Sequence, residues 1–171
     1  MLSFTKCKKI IFVSSDGSIS NDVNIGDLII PSTSVSGEAF SSYMNETINK
    51  HSLHKKYHPA RELYDVTTNY LNNETINYKD IKVYSVDTIA GQFAHIDEIL
   101  NLGCKAIEME TSALFSACQV VEKECVALLA VSDNTIQNKS LISGRTDEDM
   151  EKYYKTRYDV ILKIILNLIK E

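Results

Sequence analysis

Two acidic side chains at alternate positions give the strongest chemical signal in the sequence. An apolar run leads into Glu108, Met109 and Glu110, and a helical pattern begins at Thr111. Residues two apart on a strand point to the same side, and open α/β sheets bind ligands at the carboxyl ends of their strands. Two carboxylates at such an end could grip adjacent hydroxyls of a sugar. The alternative is that both acids only begin the next helix, where negative charge is favourable.

A third carboxylate follows another apolar run. Val126–Val131 leads directly into Ser132, Asp133 and Asn134. At a strand end Asp133 could act as a general acid or as a hydrogen-bonding group. The alternative is a turn or a helix cap, which is the commoner use of this tripeptide. Spacing alone therefore leaves both interpretations open for Asp133.

The elements that must position these groups are predicted to alternate along the chain. Five short apolar runs bounded by polar or glycine residues indicate strands at Ile10–Val13, Asp27–Pro31, Ile81–Val86, Lys105–Met109 and Val126–Val131. Apolar spacing of three to four predicts helices over Gln92–Leu102, Thr111–Glu122 and Asp147–Lys170. Continuous apolar runs are typical of strands covered on both faces. We therefore predict an α/β fold in one domain, residues 1–171, with a mainly parallel central sheet flanked by helices.

The segment Glu38–Lys79 interrupts this alternation. It is polar and rich in asparagine, and one helix is predicted in it over Ala60–Leu71. An insertion of this kind can be a lid or an interface segment, and a mobile surface loop is an equal alternative. Its histidines lack acidic or cysteine partners in the sequence and are predicted to be loop residues: His51, His54 and His58.

Composition excludes several classes of function. The net charge is −5 and the isoelectric point about 5.4, which argues against a nucleic-acid partner or an anionic membrane surface. The four cysteines show neither a CxxC pair nor the spacing of metal ligands, so no metal or disulfide role is predicted. The C-terminal apolar stretch Val160–Ile169 is too short to span a bilayer, and no targeting segment is visible, so we expect a cytoplasmic protein.

Taken together, the two acidic signals resemble a known family. The sequence Glu108-Met109-Glu110 followed by Ser112-Ala-Leu-Phe115, with Val131-Ser-Asp133 downstream, is similar to the nucleoside phosphorylase superfamily. This superfamily includes purine nucleoside phosphorylases, uridine phosphorylases and related adenosine-type nucleosidases. The resemblance implies a phosphorylase-like α/β fold.

The resemblance covers almost the whole chain. Asn24–Pro31 is similar to the family's strand with the sequence VGD, and Val35–Tyr43 to its R-G-E-G-x-S-x-Y segment. Tyr84–Asp87 is similar to the S-x-D strand that leads toward the base. The order and spacing of the pieces match, but the family's long N-terminal portion, with its glycine phosphate loop, has no counterpart ahead of Ile10. We therefore expect a fold that lacks this part.

The resemblance implies roles for individual residues. Glu110 would bind the ribose hydroxyls, Met109 would pack against the sugar, and Glu108 would support the site beside them. Asp133, with Ser132 before it, would lie near the base and help to protonate it as it leaves. A carboxylate near the sugar and a proton donor near the base suit a reaction that builds positive charge on the sugar and negative charge on the base.

The phosphate-binding positions depart from the family pattern. The family pattern R-V-G-S-x-G corresponds to Phe12–Gly17 in this chain. Phe12 therefore stands in the position of the arginine, and Asp16 is expected to bring negative charge to the phosphate position. Ser15 and Gly17 remain as weak phosphate contacts, and Arg145 is the candidate cation from the C-terminal region. Ser36, Ala39 and Ile89 also replace the residues that the family pattern has at their positions.

These features predict a nucleoside-binding protein whose inherited chemistry is cleavage of the N-glycosidic bond of a purine nucleoside. Inorganic phosphate is a possible second substrate, and no other cofactor is expected. A phosphate-independent nucleosidase and an inactive binding or assembly module are the alternatives. We also expect a homo-oligomer, because active sites of this family are commonly completed across a subunit interface, and Glu38–Lys79 is the candidate contact region.

Overall fold

The computed structural model describes residues 4–44 and 53–170. Within these residues seven strands form one sheet. They are β1 (Lys9–Ser18), β2 (Leu28–Ile29), β3 (Thr33–Gly37), β4 (Lys56–Tyr57), β5 (Lys82–Val86), β6 (Cys104–Glu108) and β7 (Glu124–Asn134). The helices are α1 (Phe40–Tyr43), α2 (Arg61–Asn73), α3 (Ile96–Asn101), α4 (Thr111–Val120), α5 (Asp147–Tyr154) and α6 (Ile161–Leu168).

The strand order is β2-β7-β1-β6-β5-β3-β4. The long ladders are parallel: β1 with β7, β3 with β5, and β5 with β6. The antiparallel pairs, β1 with β6, β2 with β7 and β3 with β4, each join two residue pairs. The predicted α/β fold with a mainly parallel sheet and flanking helices is therefore confirmed.

Helices cover both faces of the sheet, which is why the strands are apolar on both sides. On one face Phe115 and Cys118 of α4 pack into a cluster with Ala127 and Leu129 of β7. On the other face α2 and α6 bury Leu63 and Ile164, among other residues, against the alternate residues of β7. Burial on both faces excludes water from the ladders of the central strands.

The two strands at the centre are longer than the sequence predicts. β1 continues past Val13 to Ser18, and β7 continues past Val131 to Asn134. Their parallel ladder runs from Lys9 to Ser18 with a bulge, because Asp16 pairs with Val131 and Gly17 with Asp133. The predicted strand ends at Val13 and Val131 are therefore too early, because the ladder holds the polar stretches that follow them in the sheet.

The segment after β2 also differs from the prediction. Strand β3 was not predicted, because its serines gave no apolar pattern, yet Ser34 and Ser36 are fully buried. Glu38 and Ser41 are buried as well, so the start of Glu38–Lys79 belongs to the protein interior rather than to a surface loop. The helix predicted over Ala60–Leu71 is confirmed as α2. His51 lies outside the described residues, whereas the His54 ring lies near Glu98 and His58 is exposed.

The C-terminal helix is not uniformly α-helical. A π-helical segment, Lys155–Val160, joins α5 to α6. Its wider turn shifts the phase of the side chains, so Tyr154 and Tyr158 are exposed, whereas Ile161 and Leu168 are buried. The helix predicted over Asp147–Lys170 is therefore confirmed in its extent, with a π-helical interruption that the apolar spacing did not indicate. Among the described helices, none is long and apolar enough to cross a membrane.

Candidate active site

A cavity of about 240 Å³ lies where several strands end. It is called the strand-end cavity below. Its lining includes Ser14, Ser15, Asp16 and Gly17 of β1, Val86 of β5, Ile89 and Gln92, Ile107–Glu110, Ser132 and Asp133 of β7, and Leu141. Seven of the eight site residues predicted from the sequence line it: Ser15, Gly17, Glu108, Met109, Glu110, Ser132 and Asp133. Arg145 is the exception.

The topology explains why these ends meet. Strands β1 and β7 are parallel, so their carboxyl ends lie side by side. Strand β6 runs the opposite way beside β1 and overlaps it only where Gly17 pairs with Ile107 and Ser18 with Ala106. The carboxyl ends of β1 and β6 therefore meet end to end, and Glu110 and Asp133 come to line one cavity.

Glu108 is turned into the protein rather than toward the cavity opening. Its carboxylate accepts hydrogen bonds from the backbone N–H groups of Glu110 at 2.7 Å and Thr111 at 2.6 Å. The other oxygen accepts a hydrogen bond from the Ser85 hydroxyl. Only 4% of the residue is exposed, and burial raises the pKa of its carboxyl while these hydrogen bonds oppose the shift. Glu108 thus holds the start of α4, and the picture of two equivalent carboxylates gripping a sugar is wrong.

Glu110 is the carboxylate left available to a ligand. It is exposed, it lines the cavity, and it stands immediately before the first residue of α4. The side chain makes no capping hydrogen bond to that helix. Met109 beside it is half-buried and supplies an apolar surface to the same cavity. A sugar could therefore bind between an apolar thioether and a solvent-facing carboxylate.

Asp133 lines the same cavity from β7. The Ser132 hydroxyl lies 2.7 Å from Asp133 Oδ1 and 3.1 Å from the carbonyl oxygen of Asp16. Burial raises the pKa of the Asp133 carboxyl, although Ser132 and the nearby positive charge of Arg145 oppose the shift. Asp133 is part of a strand, so the alternative of a turn or helix cap does not apply. A carboxyl with a raised pKa can hold a proton for transfer.

Arg145 does not line the cavity, because its guanidinium is held by backbone carbonyls. Nη1 donates to the carbonyl oxygen of Ser132 at 3.2 Å, and Nη2 to that of Leu141 at 2.8 Å. Arg145 thereby fixes the loop after β7 against the end of that strand. Its charge influences Asp133 from outside the cavity.

The residues predicted to touch phosphate are also engaged within the protein. The Ser15 hydroxyl lies 2.7 Å from the phenol oxygen of Tyr153 on α5. Gly17 lies so close to Asp133 that an added Cβ would stand 2.9 Å from Asp133 Oδ2. Gly17 is therefore required by the packing of Asp133, and that packing needs no phosphate-binding role for the glycine.

Asp16 is not the exposed negative charge that the sequence indicated. Only 3% of the residue is exposed. Its pKa is raised well above the ordinary value of 3.8, chiefly by burial and then by the negative charges of Glu108 and Asp133. The carboxyl therefore keeps its proton to a higher pH than an exposed aspartate does.

A buried polar network behind the cavity was missed by the sequence reasoning. Glu38 accepts hydrogen bonds from the Ser112 hydroxyl at 2.7 Å and from the Ser41 backbone at 2.9 Å. Ser85 accepts one from the Ser112 backbone at 2.9 Å and donates to Glu108. The start of α4 is thus anchored by two buried glutamates. The position of Glu38 within the R-G-E-G-like segment was the only available signal.

A second cavity, of about 350 Å³, adjoins the first. Val86 and Gln92 line both cavities. The second is also lined by aromatic and imidazole rings, namely Tyr84, His54 and His95. A planar group extending from the strand-end cavity could therefore enter it. In the described part of the chain, no group of three or more histidine, cysteine, aspartate or glutamate side chains could hold a metal ion.

Comparison with known proteins gives a consistent family. The sequence model described as "Phosphorylase superfamily" matches residues 1–166. A DeoD-type purine nucleoside phosphorylase of Aliivibrio fischeri is 27% identical over 168 residues, which cover 96% of this chain and 67% of that protein. A second such enzyme, of Streptococcus suis, is 26% identical, with coverage of 96% and 65%. The chain thus spans about two thirds of the length of the curated relatives it matches.

Solved structures share the fold. The Campylobacter jejuni 5′-methylthioadenosine/S-adenosylhomocysteine nucleosidase superimposes with a TM-score of 0.72 at 15% identity, covering 95% of this chain and 69% of that one. The Plasmodium knowlesi homologue of the P. falciparum purine nucleoside phosphorylase gives a TM-score of 0.71 at 16% identity, covering 97% and 64%. One of these proteins is named a nucleosidase and the other a phosphorylase, so the shared fold does not choose between hydrolysis and phosphorolysis.

Proposed function

We propose, from the premise that this chain belongs to the phosphorylase superfamily, that its strand-end cavity binds a purine nucleoside and supports cleavage of the N-glycosidic bond. The observation that carries the proposal is that Glu110, Met109 and Asp133 line one cavity, which therefore holds both an available carboxylate and a carboxyl of raised pKa. The purine preference rests on the names of the curated relatives.

The chemistry follows from how charge develops when the bond breaks. Positive charge grows on the sugar, and the negative carboxylate of Glu110 stabilises it while accepting hydrogen bonds from the ribose hydroxyls. Negative charge grows on the departing base, and a proton from an acid that lines the same cavity neutralises it. Asp133 is the proposed acid, and the Ser132 hydroxyl orients its carboxyl by donating to Oδ1 at 2.7 Å. Met109 packs against the sugar.

Phosphate is the sugar acceptor that the family resemblance implies. The contacts of Arg145 and Ser15 support water as an alternative acceptor of the sugar. A phosphate dianion needs charge-assisted donors, usually from arginine. Arg145 already donates to two backbone carbonyls, and the Ser15 hydroxyl is already paired with Tyr153. Arg145 would have to leave these carbonyls to reach the cavity, and Ser15 would have to share its hydroxyl between Tyr153 and phosphate. These observations support a phosphate-independent nucleosidase as the alternative to a phosphorylase.

Assembly into a homo-oligomer stays a prediction.

The test is to incubate the purified protein with inosine, adenosine, methylthioadenosine and uridine, each with and without phosphate. Chromatography then detects free base and distinguishes ribose from ribose 1-phosphate. We expect purine release that Glu110→Gln abolishes and that Glu151→Gln, a change on the exposed surface of α5, leaves intact. Nucleoside binding without any release of base would instead support an inactive binding module, and absence of binding would refute the proposal.

A further inference from the structure

The strand-end cavity contains another carboxyl group, Asp16, to which the family resemblance assigns no role. The residue is 3% exposed, yet it lines the cavity. Among the described residues neither Oδ1 nor Oδ2 has a hydrogen-bond partner. A buried carboxyl that makes no hydrogen bond is costly to the folded protein. It therefore calls for an explanation, and a ligand group in the cavity is the available one.

The sheet places Asp16 between Glu108, which is buried, and Asp133, which is partly buried. Gly17 pairs with Ile107 in the antiparallel ladder of β1 and β6, so Asp16 and Glu108 are neighbouring positions across these strands. On the other side, the bulge pairs Gly17 with Asp133. The negative charges of Glu108 and Asp133 both act on Asp16. Three carboxyl groups thus converge beneath one cavity.

The three carboxyl groups differ in the hydrogen bonds that they receive from the protein. Glu108 receives three hydrogen bonds from the protein, including those from the Thr111 backbone and the Ser85 hydroxyl. Asp133 has Ser132 on Oδ1. Because Asp16 is buried without a hydrogen-bond partner and lies beside the negative charge of Glu108, its neutral form is the stable one, and its O–H has no acceptor among the described residues.

We propose that Asp16 is a further catalytic residue, a neutral carboxylic acid that gives its proton to the departing base. This rests on the proposed N-glycosidic cleavage. As the bond from C1′ to the base nitrogen breaks, its electron pair goes to the base, and a ring nitrogen of the base takes the Asp16 proton. The oxygen of the acceptor bonds to C1′. With water as acceptor its proton is released and reprotonates Asp16; with phosphate the proton comes back from solvent. The base takes only this one proton, and Asp133 on the neighbouring strand stabilises it by a hydrogen bond.

The experiment compares two kinds of substrate. Inosine has a neutral base that leaves as an anion unless it is protonated, whereas N7-methylinosine has a cationic base that leaves without needing a proton. We expect Asp16→Asn to lower kcat for inosine by about 10²-fold or more and to change kcat for N7-methylinosine by less than about threefold. The matched control is Asp159→Asn, because Asp159 is exposed on the π-helical segment.

Equal losses for both substrates would mean that Asp16 has only a structural role, and an unchanged kcat for inosine would equally overturn the proposal. A second measurement, by infrared spectroscopy, does not depend on turnover by the protein. Difference infrared spectra at neutral pH should show a protonated carboxyl band that is lost in Asp16→Asn and that shifts when hypoxanthine is added. A wild-type protein that releases no base refutes the proposed function. Absence of that band, or a band that hypoxanthine does not shift, refutes the role of Asp16.

Discussion

The hydroxyl of Ser15 lies 2.7 Å from the phenol oxygen of Tyr153, and this contact ties the end of β1 to helix α5. The two residues are 138 positions apart in the sequence. The contact occupies the side chain that the family resemblance implies for phosphate binding, while Arg145 is held by the Ser132 and Leu141 carbonyls. The Arg145 guanidinium is therefore held outside the cavity, and Ser15 shares its hydroxyl with Tyr153.

The first prediction concerns phosphate. Calorimetric titration of the wild-type protein with inorganic phosphate should detect no saturable site at about millimolar concentration, because no lysine or arginine is among the described residues that line the strand-end cavity. Any cleavage rate should likewise be independent of phosphate. A rate that rises with phosphate and saturates would restore the phosphorylase interpretation.

Tyr153→Phe should lower the free energy of unfolding by about 1 kcal/mol, the typical net value of one hydrogen bond.

The second prediction concerns Glu110. Glu110→Ala should weaken nucleoside binding by about 1–3 kcal/mol, because ribose hydroxyls would lose their partner in the cavity. The unfolding free energy should hardly change, since the side chain is exposed and makes no capping hydrogen bond. Isothermal calorimetry measures the first quantity and urea denaturation the second. An unchanged affinity would remove Glu110 from the site.

The third prediction separates Glu108 from Glu110. Glu108→Ala leaves the backbone N–H groups of Glu110 and Thr111 and the Ser85 hydroxyl without their acceptor. Each buried group left unpaired costs about 1–3 kcal/mol, so the total loss of stability should be about 3 kcal/mol or more. Urea denaturation of Glu108→Ala and Glu110→Ala side by side is the measurement. Equal stability of the two variants would contradict the anchoring role.

The fourth prediction concerns Asp133. Asp133→Asn keeps the shape of the side chain but removes its acidic proton from beside the departing base, so kcat should fall by about 10²-fold while nucleoside affinity changes little. Steady-state kinetics and a separate binding titration distinguish the two effects. An asparagine variant with full turnover would leave Asp133 as an orienting group only.

The fifth prediction concerns pH. Because the pKa of Asp16 is raised in the folded protein, the folded state holds a proton that the unfolded state loses above about pH 4. The unfolding free energy contributed by Asp16 is therefore highest below that pH and falls as pH rises through the folded-state pKa. Asp16→Asn should remove this dependence and stabilise the protein near pH 7. The residual slope would come from Glu108 and Asp133, whose pKa values are also raised.

The measurement is urea denaturation of the wild type and Asp16→Asn at several values between about pH 4 and pH 8. Asp149 supplies a contrast of opposite sign. Its bonds to Thr146 and Lys139 lower its pKa to about 2, so its contribution is present at neutral pH and is lost only as pH falls from about 4 toward 2. A wild-type stability that rises from pH 4 to pH 7 by more than that of the variant would contradict the assignment of Asp16.

The sequence by itself determined the elements whose residues are apolar in a regular pattern. Strands β5, β6 and β7 and helices α2 and α4 follow from runs and spacings of apolar residues, because burial requires those patterns wherever the partner lies. The motifs at the ends of β6 and β7 indicated the family and directed attention to Glu110 and Asp133, because a short motif specifies both the residue types and the spacing between them.

Only the tertiary structure decided which carboxyl groups face a ligand and which are used by the protein. Glu108 and Glu110 are alike in the sequence, but Glu108 meets Ser85 from a neighbouring strand and becomes an anchor of α4. Asp16 follows two serines and is typical of a loop, yet its pairing with β7 buries it. The charge, partners and pKa of a side chain depend on neighbours that are distant in the chain. No local pattern therefore predicts them.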